Sequence, residues 1–258
     1  MLFDTHCHLD PGSFPGGADE VLGRARSSGV GHFTVIGVGS LEAARGAAEL
    51  AERRPDVFAT VGVHPHDATA LDAALEDELR ALLGRERVRA LGEVGLDYHY
   101  DHSPRDVQGE VFRRMVALAR SVKKPLVIHT RSAPSETLAI LEGEGAREVG
   151  GIIHCFSEDQ SFAKRALDLG FYLSFSGIVT FKNAHSVHEV ARSAPADRIL
   201  VETDSPYLAP VPVRGKKCEP AFVVHTAKRL AELRGTTLAA IETQTTENAA
   251  RAFGVTLA

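Results

Sequence analysis

Short apolar runs alternate along the chain with longer stretches in which apolar positions recur every three or four residues. The short runs suit strands buried on both faces, and the longer period suits helices with one buried stripe. The pattern predicts strands over residues 2–5, 32–37, 57–63, 88–92, 125–128, 151–153, 171–175 and 199–201. It predicts helices over residues 18–28, 41–53, 71–83, 105–121, 134–144, 159–169, 184–191, 220–233 and 238–253. In the helix 105–121, Val107, Val111, Phe112, Met115, Leu118 and Ala119 form one stripe. Asp19 and Glu20 in the first turn of helix 18–28, with Gly29 after its end, are ordinary start and stop signals.

Strand-then-helix units of this kind predict a parallel sheet covered by helices. Eight such units in 258 residues match the size of a (β/α)8 TIM barrel, with one additional C-terminal helix. A doubly wound open sheet is the alternative. No glycine-rich dinucleotide or phosphate loop follows the first strand, which counts against it. With no linker, repeat or low-complexity tract, residues 1–258 are expected to form a single domain.

Composition narrows the function classes. Apolar residues make up 44% and charged residues 24%, as in ordinary globular proteins. The net charge of -5 argues against non-specific coating of nucleic acid or anionic membrane, but leaves room for a locally positive groove. Cys7, Cys155 and Cys218 form no disulfide framework or close ligand pair, which suits a reducing compartment. No apolar run approaches membrane-spanning length, and no basic-then-apolar export signal opens the chain, so a cytoplasmic location is expected.

The candidate chemistry lies where the predicted strands end. His6 and His8 follow the first strand, and alternation in an extended backbone points both the same way, with Cys7 turned aside. His64 follows the third strand, Glu93 the fourth, His129 the fifth, His154 the sixth and Asp204 the eighth. In a barrel these ends converge on the active-site face. So many imidazoles aimed at one mouth are costly to desolvate unless a cation or a hydrogen-bond network uses them. His6, His8, Glu93, His129, His154 and Asp204 exceed what one tetrahedral zinc needs and suit two divalent metal ions, with Glu93 able to bridge. Magnesium, manganese and zinc stay open, although four imidazoles favour zinc or manganese.

Asp204 has two readings, metal ligand and acceptor of the proton from an attacking water. Glu202 either orients an imidazole or belongs to the strand end. Asp10 is expected to close the first loop. His64 either contacts a phosphate or leaving group or packs under Pro65, and His66 is expected in solvent. Arg131 either holds a phosphate oxygen or has a surface role. Tyr98 and Tyr100 either stack on a base or pack the rim. Arg214, Lys216 and Lys217, with Lys182 and Asn183, are candidate backbone contacts or solvated loops. His32, His185, His188 and His225 are expected to be structural, and Cys7 and Cys155 small buried residues.

Taken in order, these motifs resemble the TatD family of metal-dependent deoxyribonucleases, among the amidohydrolase-like barrels. The likeness spans nearly the whole chain. It rests on Asp4-Thr-His-Cys-His-Leu-Asp10, Val63-His-Pro65, Gly92-Glu-Val-Gly-Leu-Asp97 and Ile128-His-Thr-Arg131. It continues through Ile153-His-Cys-Phe-Ser157, Phe175-Ser-Gly-Ile-Val-Thr-Phe-Lys182, Glu202-Thr-Asp-Ser-Pro-Tyr-Leu-Ala-Pro210 and Arg214-Gly-Lys216.

The resemblance implies a divalent-metal site built from the same six residues. It implies hydrolysis of phosphodiester bonds in DNA, often from 3′ to 5′, on single strands or frayed ends. Magnesium is the cation it usually links to activity, and His64 and Arg131 become phosphate-side catalytic residues beside Asp204 and Glu93. Two positions depart from the family pattern: Cys218 stands where Asn usually precedes Glu-Pro, and Glu158 where Gly often follows His-Cys-Phe-Ser. Both bear on the substrate rim rather than on the six ligands. The competing functions are an amidohydrolase acting on a small non-nucleic-acid substrate, and a non-catalytic nucleic-acid-binding protein. The first is disfavoured because no lysine falls at strand four to bridge metals, and the second because no ligand is missing. A monomer is expected, because a barrel closes its own sheet edges.

Overall fold

A computed structural model describes residues 1–257. Eight parallel strands form one sheet in the order β1 to β8. They are β1 Leu2–Cys7, β2 Val30–Gly37, β3 Val57–Val61, β4 Val88–Asp97, β5 Leu126–Arg131, β6 Gly151–Ile153, β7 Phe171–Phe175 and β8 Ile199–Val201. The helices are α1 Ala18–Ser27, α2 Leu41–Arg53, α3 Ala73–Leu83, α4 Arg105–Val122, α5 Pro134–Gly143, α6 Gln160–Asp168, α7 His185–Ser193, α8 Val223–Arg234 and α9 Leu238–Phe253. This is a (β/α)8 TIM barrel with an added C-terminal helix. Among the described residues no helix is long and apolar enough to cross a membrane.

The chain partitions into two compact units. One comprises Met1–Val35, His154–Ala163 and the chain from Tyr172 onward. Here β1 is wholly buried and pairs in parallel with β2, Phe3 opposite His32 and Cys7 opposite Val35. On its other side β1 meets the end of β8. Cys7 and Ser205 form a parallel bridge, the Asp204 amide donates to the His6 carbonyl at 2.9 Å, and the His8 amide donates to the Ser205 carbonyl at 2.8 Å. Helix α9 covers this pair: Phe253 stacks on Phe3, and Asn248 donates to the carbonyls of Ala196 and Ile199.

The other unit comprises Ile36–Ile153 and Lys164–Phe171. Its centre is β4, buried at every position but Arg89 and paired with both β3 and β5. Helix α4 lays Val111, Phe112, Met115, Val116, Leu118 and Ala119 in the core, while Val107 is only half-buried. The fully buried Gln108 of α4 accepts from the Asp97 amide and donates to the Asp97 and Ser103 carbonyls. It thereby satisfies backbone groups at the strand end that would otherwise be buried unpaired.

Most predicted boundaries agree with the observed elements within two residues, and those of β4, β5 and α8 differ by three or more. Strand β4 continues to Asp97 and β5 to Arg131, because Leu96 pairs with Thr130 and Asp97 with Arg131. Residues 65–70 form a 3-10 segment, Pro65–Ala70, and α3 starts only at Ala73 behind the capping carboxylate of Asp72. The start of α8 is likewise a separate 3-10 turn, Pro220–Phe222.

Candidate metal centre

In the first unit, β1 ends by aiming two imidazoles at one point. His6 is fully buried and its Nε2 lies 3.3 Å from Nε2 of His8. Oδ1 of Asp204, from the chain just beyond β8, is 3.6 Å from each of these nitrogens. A point equidistant from the three atoms lies about 2.0 Å from each, which is a metal–ligand distance. Burial acts to raise the Asp204 pKa, but His8, His154 and His6 outweigh it and hold the carboxyl below its ordinary value. Asp4, buried inside β1, locks the two strand ends together. Its carboxylate accepts from the Thr203 amide at 2.9 Å and the Thr203 hydroxyl at 2.6 Å.

His154 stacks on His6 with ring centroids 3.8 Å apart. Its Nδ1 lies 3.1 Å from Oε1 of Glu202, an oxygen that also accepts from the Cys155 amide at 2.7 Å. Glu202 therefore orients an imidazole, the carboxylate–histidine arrangement common beside metals. Oε2 of Glu202 is buried and makes no hydrogen bond. Ligand atoms of His6, His154 and Glu202 lie within 4.8 Å of one another. A buried acceptor without a donor, beside two imidazoles, fits a divalent cation of zinc or manganese character. Cys155 is half-buried against Ser176, and burial pushes its pKa far up, so its thiol stays protonated.

In the second unit, the pairing of β4 with β5 shifts register between Gly92 and Val94. Glu93 thus sits at a bulge, a device that re-aims a side chain. Its Oε1 lies 2.8 Å from Nδ1 of His129 and 3.5 Å from Nε2 of His64, and the three residues' ligand atoms cluster within 4.8 Å. Gly95 makes the close approach possible. At φ 145° it faces His129, and a Cβ there would lie 1.9 Å from the His129 carbonyl oxygen.

Asp97 was not singled out from the sequence, yet it organises this side. Its Oδ2 lies 3.0 Å from Nε2 of His66 and 3.2 Å from Nε2 of His129. Its Oδ1 accepts from the His99 and Tyr100 amides. Burial raises its pKa, but His129, the Tyr100 amide and His66 outweigh this and hold the carboxyl far below the usual range. His66, expected in solvent, is therefore tied to a buried carboxylate. No sequence signal marks that pair, since a strand end and a 3-10 segment supply one partner each.

The rim residues separate. The exposed Tyr100 carries the Arg131 guanidinium 4.6 Å from its ring centre, whereas Tyr98 packs under Arg105. Arg214 rests on Phe181, and Lys217 donates to the Ser13 carbonyl, so both hold their own loop. Lys216, Lys182 and Asn183 are exposed. Asp10 accepts from the Ser13 amide at 2.8 Å and closes the first loop. His188 contacts the Val179 carbonyl and His32 packs on Phe3, both away from these clusters. Tyr207, which the sequence reading left without a role, is exposed and meets His8 edge-on at 6.2 Å.

Residues 3–254 match the family model described as TatD-related DNase. The chain is 44% identical to YabD of Bacillus subtilis strain 168, described as an uncharacterized metal-dependent hydrolase, over 99% of this chain and 100% of that protein. It is 33% identical to the 3′-5′ ssDNA/RNA exonuclease TatD of Cronobacter sakazakii, over 98% of this chain and 97% of that protein. Among solved structures, YjjV, a TatD homologue from Escherichia coli K12, superposes with a TM-score of 0.92 at 27% identity, covering 99% of this chain and 98% of that one. With its histidine and carboxylate clusters able to bind metal, the chain belongs to the TatD-related DNase family and is a metal-dependent hydrolase.

Proposed function

We propose that this chain is a 3′-to-5′ exodeoxyribonuclease that hydrolyses phosphodiester bonds in DNA at single strands or frayed ends. In this reading His6, His8, Glu93, His129, His154 and Asp204 hold two divalent cations. The observation that carries it is the convergence of the His6, His8 and Asp204 ligand atoms at 3.3 and 3.6 Å. Bound cations supply Lewis-acid charge that makes a water a better nucleophile and stabilises the leaving oxygen. Asp204, kept ionised by its histidine neighbours, accepts the proton of the attacking water. His64 takes the His66 amide on Nδ1, which leaves Nε2, on the side of Glu93, as the nitrogen that donates to a phosphate oxygen. Arg131 holds a phosphate oxygen through its planar fork, and the exposed Tyr100 beside it offers a face to a base. The polarity follows the name of the exonuclease relative. The chain acts as a monomer in the cytoplasm.

The test is digestion of end-labelled single- and double-stranded DNA and of RNA by metal-stripped protein reloaded separately with magnesium, manganese or zinc. The expected result is a ladder shortening from the 3′ end of single-stranded DNA, abolished by chelator. Asp204→Asn should reduce the rate by about 10²–10⁴-fold. Chelator-insensitive cleavage, or no cleavage with any of the three cations, refutes the proposal.

A further inference from the structure

We propose that Tyr207 is a specificity-determining residue, a platform on which the base of a nucleotide flanking the bound phosphate stacks. The inference rests on the reading of the chain as a nuclease acting at His6, His8 and Asp204. Tyr207 lies three residues beyond Asp204 and is 61% exposed. Its ring meets that of His8 at 6.2 Å and 72°, so the phenol stands beside the point where the His8 and Asp204 ligand atoms converge. An edge contact engages at most one face of the phenol, and the exposure leaves ring surface for a flat group.

The ring is presented on a rigid support. The Tyr207 amide donates to the Asp204 carbonyl at 2.9 Å, and the Cys218 amide donates to the Pro206 carbonyl at 3.0 Å. Leu208 takes a left-handed backbone at φ 52°, which costs a leucine energy and persists only where neighbours fix it. One such neighbour is Gly177, where a Cβ would lie 2.1 Å from the Leu208 carbonyl oxygen. Farther on, the Val211 amide donates to Oγ1 of Thr180 at 2.9 Å. A ring on a loop held this firmly needs little ordering when a ligand binds, so more of its contact energy appears as affinity.

The chemistry of the loop selects the partner. From Ser205 to Cys218 the chain carries Arg214, Lys216 and Lys217 and no acid, in a protein of net charge -5. All three cations are exposed, and Tyr207 and Val211 are exposed with them. Arg214 lies 4.0 Å over the ring of Phe181 and Lys217 lies 5.7 Å from that of Phe14, so positive charge is fixed on this rim. A lone exposed aromatic is ordinary on a protein surface. One fixed beside converging ligand atoms and a row of cations has the makings of a single-strand site, in which the charge follows the phosphates and the ring takes a base. A small uncharged ester would use neither.

The experiment reads binding and cleavage separately in wild-type, Tyr207→Phe and Tyr207→Ala proteins loaded with manganese. Binding is followed with cleavage-resistant phosphorothioate single strands carrying 2-aminopurine at the last or the next-to-last 3′ position, whose fluorescence falls when the base stacks. Cleavage is followed with single strands that are intact or that lack the base at either position. One of the two fluorescent strands should be quenched by wild type and Tyr207→Phe but not by Tyr207→Ala. Tyr207→Ala should lose about 5–150-fold in kcat/KM on the intact strand. Removing that same base should cost wild type a similar factor and cost Tyr207→Ala nothing further, while manganese affinity by calorimetry stays unchanged. Quenching by Tyr207→Ala equal to wild type overturns the proposal, as does no quenching by wild type. A loss of manganese affinity in Tyr207→Ala also overturns it, since Tyr207 would then be a support for His8. If wild type quenches a strand but cleaves none, the hydrolytic reading fails and the platform stands. If wild type cleaves and Tyr207→Ala matches it on every strand, only the platform fails.

Discussion

Replacement of His8 by alanine separates metal binding from folding. His8 lies beyond the last residue of β1, and its side chain is 19% exposed. Deleting it leaves only a shallow gap, so the metal-free variant should lose no more than about 1 kcal/mol. The cation site suffers far more, because one of three converging donors disappears. A cation present at 100 times its dissociation constant stabilises the native state by about 2.7 kcal/mol. For a chain of this size that raises the melting temperature by about 5–11 °C. If the loss of His8 weakens affinity about 100-fold, the same cation concentration leaves only about 0.4 kcal/mol, or about 1–2 °C. Calorimetric melting with and without zinc or manganese, alongside metal content by mass spectrometry, reads both effects. His6→Ala is a poorer probe, since that ring is fully buried and stacks on His154. A His8→Ala protein that keeps the full cation-dependent shift would refute the convergence argument.

Glu202→Gln should retain volume and, with its oxygen held by the Cys155 amide, the acceptor of His154, but turn the buried Oε2 into an NH2 that cannot face a cation, weakening zinc binding by about 10–100-fold in competition with a chelating dye. Gly95→Ala should cost at least about 3 kcal/mol, seen as a fall in melting temperature or loss of soluble protein, because its Cβ would meet the His129 carbonyl at 1.9 Å. Burial raises the carboxyl pKa of Glu158, so the folded state binds that proton more tightly than the unfolded chain does. Its contribution is therefore complete below the unfolded pKa and is lost as pH rises through the folded value. Glu158→Gln should accordingly match wild type in urea midpoint near pH 4 and exceed it at pH 7. Arg131→Lys should raise KM for oligonucleotides more than it lowers kcat, since lysine keeps the charge and loses the bidentate fork.

The period of the apolar residues was enough to place every strand and helix in order, because a strand buried on both faces and a one-sided helix leave different sequence patterns. The fourth strand shows where that signal stops. Its buried run reads as ending at Gly92, yet β4 continues through Glu93 and Asp97. Those polar residues look like loop in one dimension. They remain strand because β5 supplies their backbone partners and because Gly95 permits the contact.

The candidate ligand histidines were legible for a related reason: alternation in β1 and the ends of successive strands are local properties. Of the side chains that orient them, Glu202 was legible only as one of two readings and Asp97 not at all. Asp97 lies 32 residues from His129, and Glu202 lies 48 residues from His154. Pairing of the strands decides for both. The sequence by itself determined which candidate ligands stand at the ends of which strands, because side-chain type and backbone period are written in one dimension. Only the tertiary structure decided which ring nitrogen of His154 is turned away from Glu202, because the carboxylate that holds the other is brought from elsewhere in the chain.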